Sequence, residues 1–511
     1  MSADATIDVA PKTRAVPAWL RGDAPCLLLL AAFTFAHRAV WFGDPVADFD
    51  EQLYSFIGWR MQFGEVPFVD WWDRKPFGLF AIFGLIHALL GPSALAYQLA
   101  AAGFTFVSGW LTFLLARRCV DRTTATFAAA IAVMLVAAYA NYSANSEVFF
   151  APLVLGMAVL LVDAEHPQFT RRAMLAMLLG GLALQVKYTV LPQCAFFGAW
   201  ALWVEHRRGR AIGSLASLAA AFALLGLMPT LGVALFYAAI GQFEAFWFAN
   251  FASFFERAAG PQGRWASNFY VGVSPLVVLS AGGIYAAFRM KRPEPFAAWA
   301  FFAAWALSAL ASVLLPSTVY LYYYAALAAP VALVALPLLD RTGPLRIAPA
   351  ILLSAALLFL LSLPARYEQS LDQREAAHQL AATIAPHVDG KDNCLWVWDG
   401  PTVLYRLSGS CVPTRYVYPD HLNNALETNA LEVDQLAEVR RVLATRPGAI
   451  VTADRGMTIR NPEAMALVEA SLRRNYEPRL TVTMHERQVT AWVRSSSSAR
   501  ASATTGTAPR R

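Results

Sequence analysis

The chain has 511 residues, of which 57% are hydrophobic and only 15% carry a charge, and its mean hydropathy is +0.44. A soluble protein of this length could not bury so much apolar surface, so the composition predicts a membrane protein. The net charge of +6 comes without a basic stripe interleaved with aromatic residues, which argues against a nucleic-acid partner.

The apolar residues are concentrated in residues 23–363, which we predict to be an α-helical transmembrane domain. Residues 1–22 are polar and predict a disordered cytoplasmic N-terminus. The apolar run after them has no small-residue cleavage site, so we expect a retained anchor. About eleven stretches have roughly the length needed to span a bilayer. They are residues 23–42, 96–116, 124–140, 148–163, 174–187, 189–204, 213–238, 272–289, 296–315, 321–338 and 347–363.

The first predicted external loop, residues 43–95, has an unusual composition for a connection between membrane helices. Its segment 49–80 reads FDEQLYSFIGWRMQFGEVPFVDWWDRKPFGLF and combines carboxylates, cations and aromatic residues. Residues 77–90 are apolar but too short to span a bilayer comfortably. We therefore predict that they form an interfacial helix on the membrane surface.

The positions of Lys and Arg predict the orientation of the chain. With the N-terminus inside, most of them fall in connections on the cytoplasmic side, as the positive-inside rule requires. This arrangement places the loop 43–95 and the C-terminal part of the chain outside the cytoplasm. Polar and charged groups thus gather on one face of a bundle of apolar helices.

Residues 364–494 predict an extracytoplasmic α/β domain, followed by a disordered, low-complexity tail at 495–511. Helical spacing in residues 367–388 precedes a short strand, and alternation on both sides of His485 and Glu486 predicts a hairpin. Cys394 and Cys411 could form a disulfide if this domain lies outside the cytoplasm.

The first loop also carries the groups that a transfer reaction needs. Arg74 and Lys75 are adjacent cations at the start of the predicted interfacial helix, where they and the free amides suit an anionic group. A carboxylate in a partly desolvated site can act as a general base. Asp50 and Glu51 are the preferred pair for that role, with Asp48 as the alternative.

Two more ionisable residues lie on the same predicted face. Glu147 ends the second external loop, and Lys187 stands within otherwise apolar sequence. Each also has a structural explanation, because Glu147 could cap a helix and Lys187 could reach the headgroups. Acidic surface loops are common as well. The combination on one face nevertheless favours a site for a lipid-linked anion and a hydroxyl acceptor.

These motifs resemble those of the polytopic C-type glycosyltransferases that use polyprenyl-phosphate sugars. The similar group includes the lipid A aminoarabinose transferase, the protein O-mannosyltransferases and the Rgt-type transferases. DEQLY matches the acidic pair and Tyr of that family, and here supplies Asp50, Glu51 and Tyr54. RKPFGLF matches its Lys-Pro motif, with Phe77 where a second Pro is usual. GLALQVKYTVL and YYYAALAAP resemble its Lys-containing helix and its late aromatic segment.

The resemblance implies the C-type glycosyltransferase fold and an inverting transfer to an envelope acceptor, which could be lipid A, another glycan, a lipid or a protein. Asp50 and Glu51 would be the catalytic residues, and Lys75 with Arg74 would hold the donor phosphate. The residues that position the substrates would be Tyr54, Glu147, Lys187 and Tyr324. Asp50 and Glu147 would hold a divalent metal ion if the reaction uses one. The implied location is the inner (plasma) membrane of a bacterium.

Three other functions remain compatible with the sequence. A secondary transporter or lipid flippase could have about eleven spans, although transporters usually carry charges within broken helices. A membrane scaffold could use the C-terminal domain as a binding module. An O-antigen polymerase or ligase would use the same carrier on the same side of the membrane.

Overall fold

The computed structural model describes residues 22–258, 260, 262–316 and 319–495. The disorder expected for the first and last residues of the chain falls on residues 1–21 and 496–511, outside the described part. The helices of the first part are α1 Ala24–Arg38, α2 Phe49–Arg60, α3 Phe77–Leu90, α4 Ala94–Ala116, α5 Arg122–Ala138, α6 Ser146–Leu161, α7 Phe169–Leu184, α8 Leu191–Arg207, α9 Ile212–Ala239, α10 Gln262–Arg289, α11 Phe296–Leu314 and α12 Ala348–Leu361. Helical residues also fill Phe243–Glu256 and Leu321–Leu339, in shorter and less regular pieces.

Each predicted membrane span coincides with helical structure, and the chain is a multi-pass membrane protein. Within the described residues, six helices are long and apolar enough to cross a bilayer. Shorter apolar helices account for further predicted spans, so the number eleven stays a prediction. Large apolar side chains such as Phe359, Leu235 and Leu352 are mostly exposed, as lipid contact requires.

The loop helices α2 and α3 pack against each other. Asp48 caps α2 through its carboxylate, and Pro76 precedes α3 in an extended conformation. Gly58 of α2 lies so close to the backbone of α3 at Gly84 that a side chain at Gly58 would not fit. Helix α3 buries Phe80 and Phe83 and exposes Leu85, Leu89 and Leu90. One of its faces therefore packs against the protein and the other does not.

The C-terminal part consists of a four-stranded sheet with helices on it. Its strands are β1 Leu395–Val397, β2 Ala449–Ala453, β3 Tyr476–Met484 and β4 Arg487–Arg494, in the order β1-β2-β4-β3. The main helices are α13 Leu363–Ile384, α14 Gln435–Ala444 and α15 Pro462–Asn475. β1 and β2 are parallel, and β4 pairs antiparallel with both β2 and β3. The β3-β4 turn is made by His485 and Glu486, as the alternation predicts, and Cys394 is joined to Cys411 by a disulfide.

The C-terminal domain sits directly on the first loop. Its Val403 N–H donates to the side chain of Gln52 at 3.2 Å, and the Trp72 N–H of the loop donates to the carbonyl of Arg415 at 3.1 Å. The imidazole of His485 lies 2.7 Å from the Val46 carbonyl. The domain therefore closes the space above the loop instead of standing apart from the membrane bundle.

Candidate active site

A cavity of about 450 Å³ opens where the first loop, the helix bundle and the C-terminal domain meet. All three parts contribute charged or phenolic side chains to its wall. The wall includes Asp48, Asp50, Asp73, Arg74, Lys75, Lys187, Arg257, Tyr320, Tyr322, Tyr323, Tyr418, Asp420, His421 and Glu427. Cations and carboxylates in one partly enclosed space can bind an anion and move a proton.

Asp50 lies in the first turn of α2, and the side chain of Asp48 caps this turn by accepting its backbone N–H groups. The Asp48 carboxylate accepts the N–H of Asp50 at 2.9 Å and is itself bound by the Asn145 amide at 3.2 Å. Tyr54, one turn along the helix, donates its hydroxyl to Asp50 Oδ2 at 3.1 Å. Tyr418 of the C-terminal domain donates to Asp50 Oδ1 at 3.0 Å. Both carboxylate oxygens of Asp50 are thus oriented by phenols.

Lys75 faces Asp50 across the cavity entrance. Its ammonium lies 3.9 Å from Asp50 Oδ2 and 5.2 Å from the centre of the Tyr54 ring. Burial opposes protonation of Lys75, but the charges of Asp50 and Asp73 outweigh it and raise the pKa. Lys75 is therefore a permanent cation beside the carboxylate.

Arg74 and Arg257 form a second cationic group in the same wall, bridged by Glu427. Arg74 Nη1 lies 2.9 Å from Glu427 Oε1, and Arg257 Nε lies 2.6 Å from the same oxygen. Burial alone would raise the pKa of Glu427, but the two guanidinium groups lower it to about 2. The bridge ties the first loop and the segment before α10 to the C-terminal domain.

Glu147 and Lys187 form a buried ion pair, of which Lys187 lines the cavity. Ser146 donates its hydroxyl to Glu147 at 2.8 Å, and the Lys187 ammonium lies 4.3 Å from the centre of the Tyr323 ring. Lys187 contacts one oxygen of the Glu147 carboxylate, and the metal ion suggested for Asp50 and Glu147 stays a prediction. In the described ranges, no three His, Cys, Asp or Glu side chains come together as metal ligands.

Four residues predicted for the site do not line the cavity. Tyr54 and Glu147 contact it only through their partners Asp50 and Lys187, and Glu51 and Tyr324 face away from it. Glu51 points into the protein, where its carboxylate accepts the Ala144 N–H at 2.6 Å. Adjacent residues on a helix face different directions, which is why only one of the acidic pair reaches the cavity. Tyr324 is also turned away and donates to the Phe269 carbonyl at 3.2 Å, while its neighbours Tyr322 and Tyr323 line the wall.

Sequence reasoning missed the contributions of Arg257, Tyr418, Asp420 and Glu427. Arg257 lies in a long aromatic segment that the sequence predicts to be outside the cytoplasm, and its charge there was a usable signal. The other three belong to short irregular turns of the C-terminal domain. No periodicity marks such turns, so their part in the site becomes visible only in three dimensions.

The fold is similar to that of solved membrane glycosyltransferases, and part of the chain matches a mannosyltransferase family. The resemblance inferred from the motifs is confirmed at the level of the fold. The sequence family described as dolichyl-phosphate-mannose-protein mannosyltransferase matches residues 74–232. No curated protein shows significant similarity to the chain.

Solved structures with this fold are similar over most of the chain. ArnT from Cupriavidus metallidurans bound to undecaprenyl phosphate has a TM-score of 0.58 at 15% identity, covering 92% of this chain and 98% of its own. The apo state of the same protein gives 0.59 at 14% identity, with 91% and 97% covered. The Archaeoglobus fulgidus oligosaccharyltransferase in its apo form gives 0.50 at 12% identity, with 85% and 70% covered. At such identities the likeness establishes the fold alone.

Proposed function

We propose that the protein transfers a sugar from a polyprenyl-phosphate donor to a hydroxyl acceptor of the cell envelope. The observation that carries this proposal is the Asp50 carboxylate, 3.9 Å from the Lys75 ammonium, in a cavity roofed by the C-terminal domain. A base beside a phosphate-binding cation is the combination that an inverting glycosyl transfer requires.

In the proposed reaction, Asp50 accepts the proton of the acceptor hydroxyl as the oxygen attacks the anomeric carbon. The bond from that carbon to the phosphate oxygen breaks, and its electron pair leaves with the polyprenyl phosphate. Lys75 stabilises the negative charge on the leaving phosphate, together with Arg74 and Arg257. Tyr54 and Tyr418 fix the orientation of the base. Configuration at the anomeric carbon is inverted because the displacement is direct.

The lipid part of the donor would leave the cavity along its apolar side. Phe254 and Pro316 line the cavity, and Phe255 beside them is 83% exposed. An exposed aromatic residue at that place suits contact with acyl or prenyl chains. The donor could thus keep its phosphate among the cations while its chain stays in the bilayer.

The site would lie on the outer face of a bacterial inner membrane. The distribution of Lys and Arg supports this orientation. The disulfide between Cys394 and Cys411 is in keeping with it, because such bonds persist in oxidising compartments. Acceptors accessible there are lipid A, other glycans, lipids and proteins.

Replacement of the base tests the proposal. A strain lacking the gene is complemented with wild type, Asp50→Asn or Asp70→Asn, and its envelope glycolipids and glycoproteins are analysed by mass spectrometry. Asp70 is a matched control, since it belongs to the same loop but binds only the local Val66 N–H, at 2.6 Å. Wild type and Asp70→Asn should restore a species heavier by one sugar, and Asp50→Asn should reduce it by at least 10²-fold.

Immunoblotting must show equal amounts of the three proteins in the membrane fraction. Restoration of the sugar by Asp50→Asn at wild-type level would remove the basis of the proposal. It would instead favour a transporter or scaffold, neither of which needs a base at this position.

A further inference from the structure

Asp420 is a carboxylate of the cavity wall that the transfer reaction does not use. It lies in the short turn Pro419–Asn423 of the C-terminal domain, two residues after the Tyr418 that binds Asp50. Its partners are the Thr458 hydroxyl at 3.0 Å and the Asn424 amide at 3.4 Å. Among the described residues, no Lys, Arg or His forms an ion pair with it, in contrast to Glu427 and Glu147.

Only two side-chain hydrogen-bond donors, Thr458 and Asn424, contact the Asp420 carboxylate in the described part of the chain. Burial, and then the negative charges of Glu427, Asp399 and Asp50, raise its pKa to about 7 against the effect of the Thr458 hydrogen bond. A carboxylate in such a place is stabilised by any ligand that brings hydroxyl or ammonium donors.

Unpartnered polar atoms on the same wall independently point to a polar ligand. His421 is 4% exposed, and its Nδ1 has no hydrogen-bond partner. Asp73 is also 4% exposed, and its Oδ2 has none either. Both residues line the cavity with Asp420. Buried polar atoms are rarely left unpaired, so atoms that are unpaired around a cavity indicate where a ligand binds.

We infer that Asp420 recognises the transferred sugar, by accepting hydrogen bonds from hydroxyl or amino groups on the sugar ring. This inference rests on the proposed function, because the sugar enters the cavity as part of the polyprenyl-phosphate donor. The cations Lys75, Arg74 and Arg257 hold the phosphate, and Asp50 must lie near the anomeric carbon. Tyr418 connects Asp50 to the turn that carries Asp420, so the sugar ring lies within reach of this carboxylate.

The C-terminal domain thereby acquires a defined role. It is the part of the site that selects the sugar, whereas the first loop binds the phosphate, which all polyprenyl-phosphate donors share. Asp420 would be a binding residue for the sugar and not a second base.

Native mass spectrometry of the full-length protein in nanodiscs tests this role. Wild type, Asp420→Ala, Asp420→Asn and Asp372→Ala are each incubated with undecaprenyl phosphate and with the polyprenyl-lipid fraction of the host membranes. Asp372 is an exposed residue of α13 and serves as the control. Wild type and the control should retain the sugar-bearing carrier in preference to the bare carrier.

Asp420→Ala should lower that preference by about 10- to 100-fold, the equivalent of one or two hydrogen bonds to a charged group, and leave retention of undecaprenyl phosphate unchanged. Asp420→Asn keeps the shape of the side chain and an oxygen that accepts the Thr458 hydroxyl, so this variant should fold as wild type does. It should nevertheless lose most of the preference for the sugar-bearing carrier.

Three results would overturn the inference. They are an unchanged preference in both Asp420 variants, an equal loss of both lipids, and a wild type that binds the two lipids equally. A wild type that binds neither lipid would instead show that the proposed function itself has failed, and the role of Asp420 would fall with it.

Discussion

At the scale of single residues, Asp50 and Glu51 show how neighbours in one motif can have different roles. Successive residues of a helix are rotated by about 100°, so Asp50 faces the cavity and Glu51 faces the protein. Glu51 is fully buried and holds the loop before α6 through the Ala144 N–H. The sequence identified the pair but contained no information on which member lines the cavity.

Glu51→Gln should therefore retain most of the transfer activity that Asp50→Asn abolishes. Burial, and then the charge of Asp48, raise the pKa of Glu51, so an uncharged amide of the same shape is a close substitute. Glu51→Ala should instead lower stability by about 1–3 kcal/mol, because the Ala144 N–H loses its acceptor. Thermal unfolding and the mass-spectrometric transfer assay measure the two effects. Loss of transfer in Glu51→Gln at normal abundance would show that Glu51 takes part in the chemistry.

The Glu147–Lys187 pair leads to a second prediction at this scale. Both side chains are at most 6% exposed, so Lys187→Met leaves a buried carboxylate without its cation. We expect a loss of about 3–5 kcal/mol, and partial recovery when Glu147→Gln is added.

Arg118→Met provides the comparison for thermal-shift measurements in detergent. Arg118 pairs with Asp163 at 3.4 Å in an exposed position, so its loss should cost less than about 1 kcal/mol. Equal effects of the two substitutions, or no recovery in the double variant, would mean that the buried pair does not stabilise the site.

At the scale of secondary-structure elements, the position of the reacting groups depends on how α2 and α3 pack. A Cβ at Gly58 would lie 2.7 Å from the Gly84 nitrogen, closer than atoms can approach. A Cβ at Gly84 would meet the Gly58 carbonyl at 3.5 Å, which is ordinary contact. The two glycines face each other, but only one of them is required by the packing.

Gly58→Ala should push α3 away from α2, lower stability by about 1–3 kcal/mol and reduce transfer, since Asp50 and Lys75 are carried at the ends of these helices. Gly84→Ala is the matched control and should be close to wild type in both measurements. Thermal unfolding and transfer activity of the purified variants distinguish them. If both substitutions were equally harmless, the contact between the helices could not be what places the two groups.

Much of the element scale was predictable from sequence periodicity. Alternation located the hairpin around His485. Asn461 caps α15 by accepting the N–H of Glu463 at 3.0 Å, and Asn is one of the residues preferred at that position. The irregular helical segments 243–256 and 321–339 were not predictable, because uniformly apolar sequence has no period to show a break. For the same reason, the sequence predicted Tyr324 as a site residue, whereas its neighbour Tyr323 lines the cavity.

At the scale of the whole molecule, the division into a membrane part and an α/β part could be predicted, but their contact could not. Composition changes abruptly near residue 364, which defines the two parts. The contacts that build the site join residues more than three hundred positions apart, such as Arg74 with Glu427 and Asp50 with Tyr418. A single sequence contains no signal for such pairs. The sequence therefore predicted a site made by the first loop and the membrane part, without the residues of the C-terminal domain.

The bridge from Glu427 to Arg74 and Arg257 predicts how the docking of the domain depends on pH. The pKa of Glu427 falls from its ordinary 4.5 to about 2, so its contribution is complete above 4.5 and is lost only as the pH falls toward 2. This bridge should add no pH dependence to stability between pH 5 and 8. Asp420 has a pKa of about 7 that the charge of Glu427 helps to raise, so the comparison is made with Asp420→Asn in both proteins. Protease sensitivity of the domain junction over that range would then differ between Asp420→Asn and the double variant with Glu427→Gln by a constant factor. A difference that grows within it would contradict the assignment.

The same bridge gives a test that connects domain docking with the donor. Glu427→Gln removes the shared carboxylate from two largely buried guanidinium groups, which should cost about 3–5 kcal/mol. If Arg74 and Arg257 bind the donor phosphate, undecaprenyl phosphate can replace the missing anion. The lipid should then raise the melting temperature of Glu427→Gln by more than it raises that of wild type. Glu432→Gln, which breaks a more exposed pair with Arg415 in the same domain, should respond to the lipid as wild type does. A lipid-induced shift no larger in Glu427→Gln than in Glu432→Gln would show that these arginines hold the domain in place and leave the phosphate to Lys75.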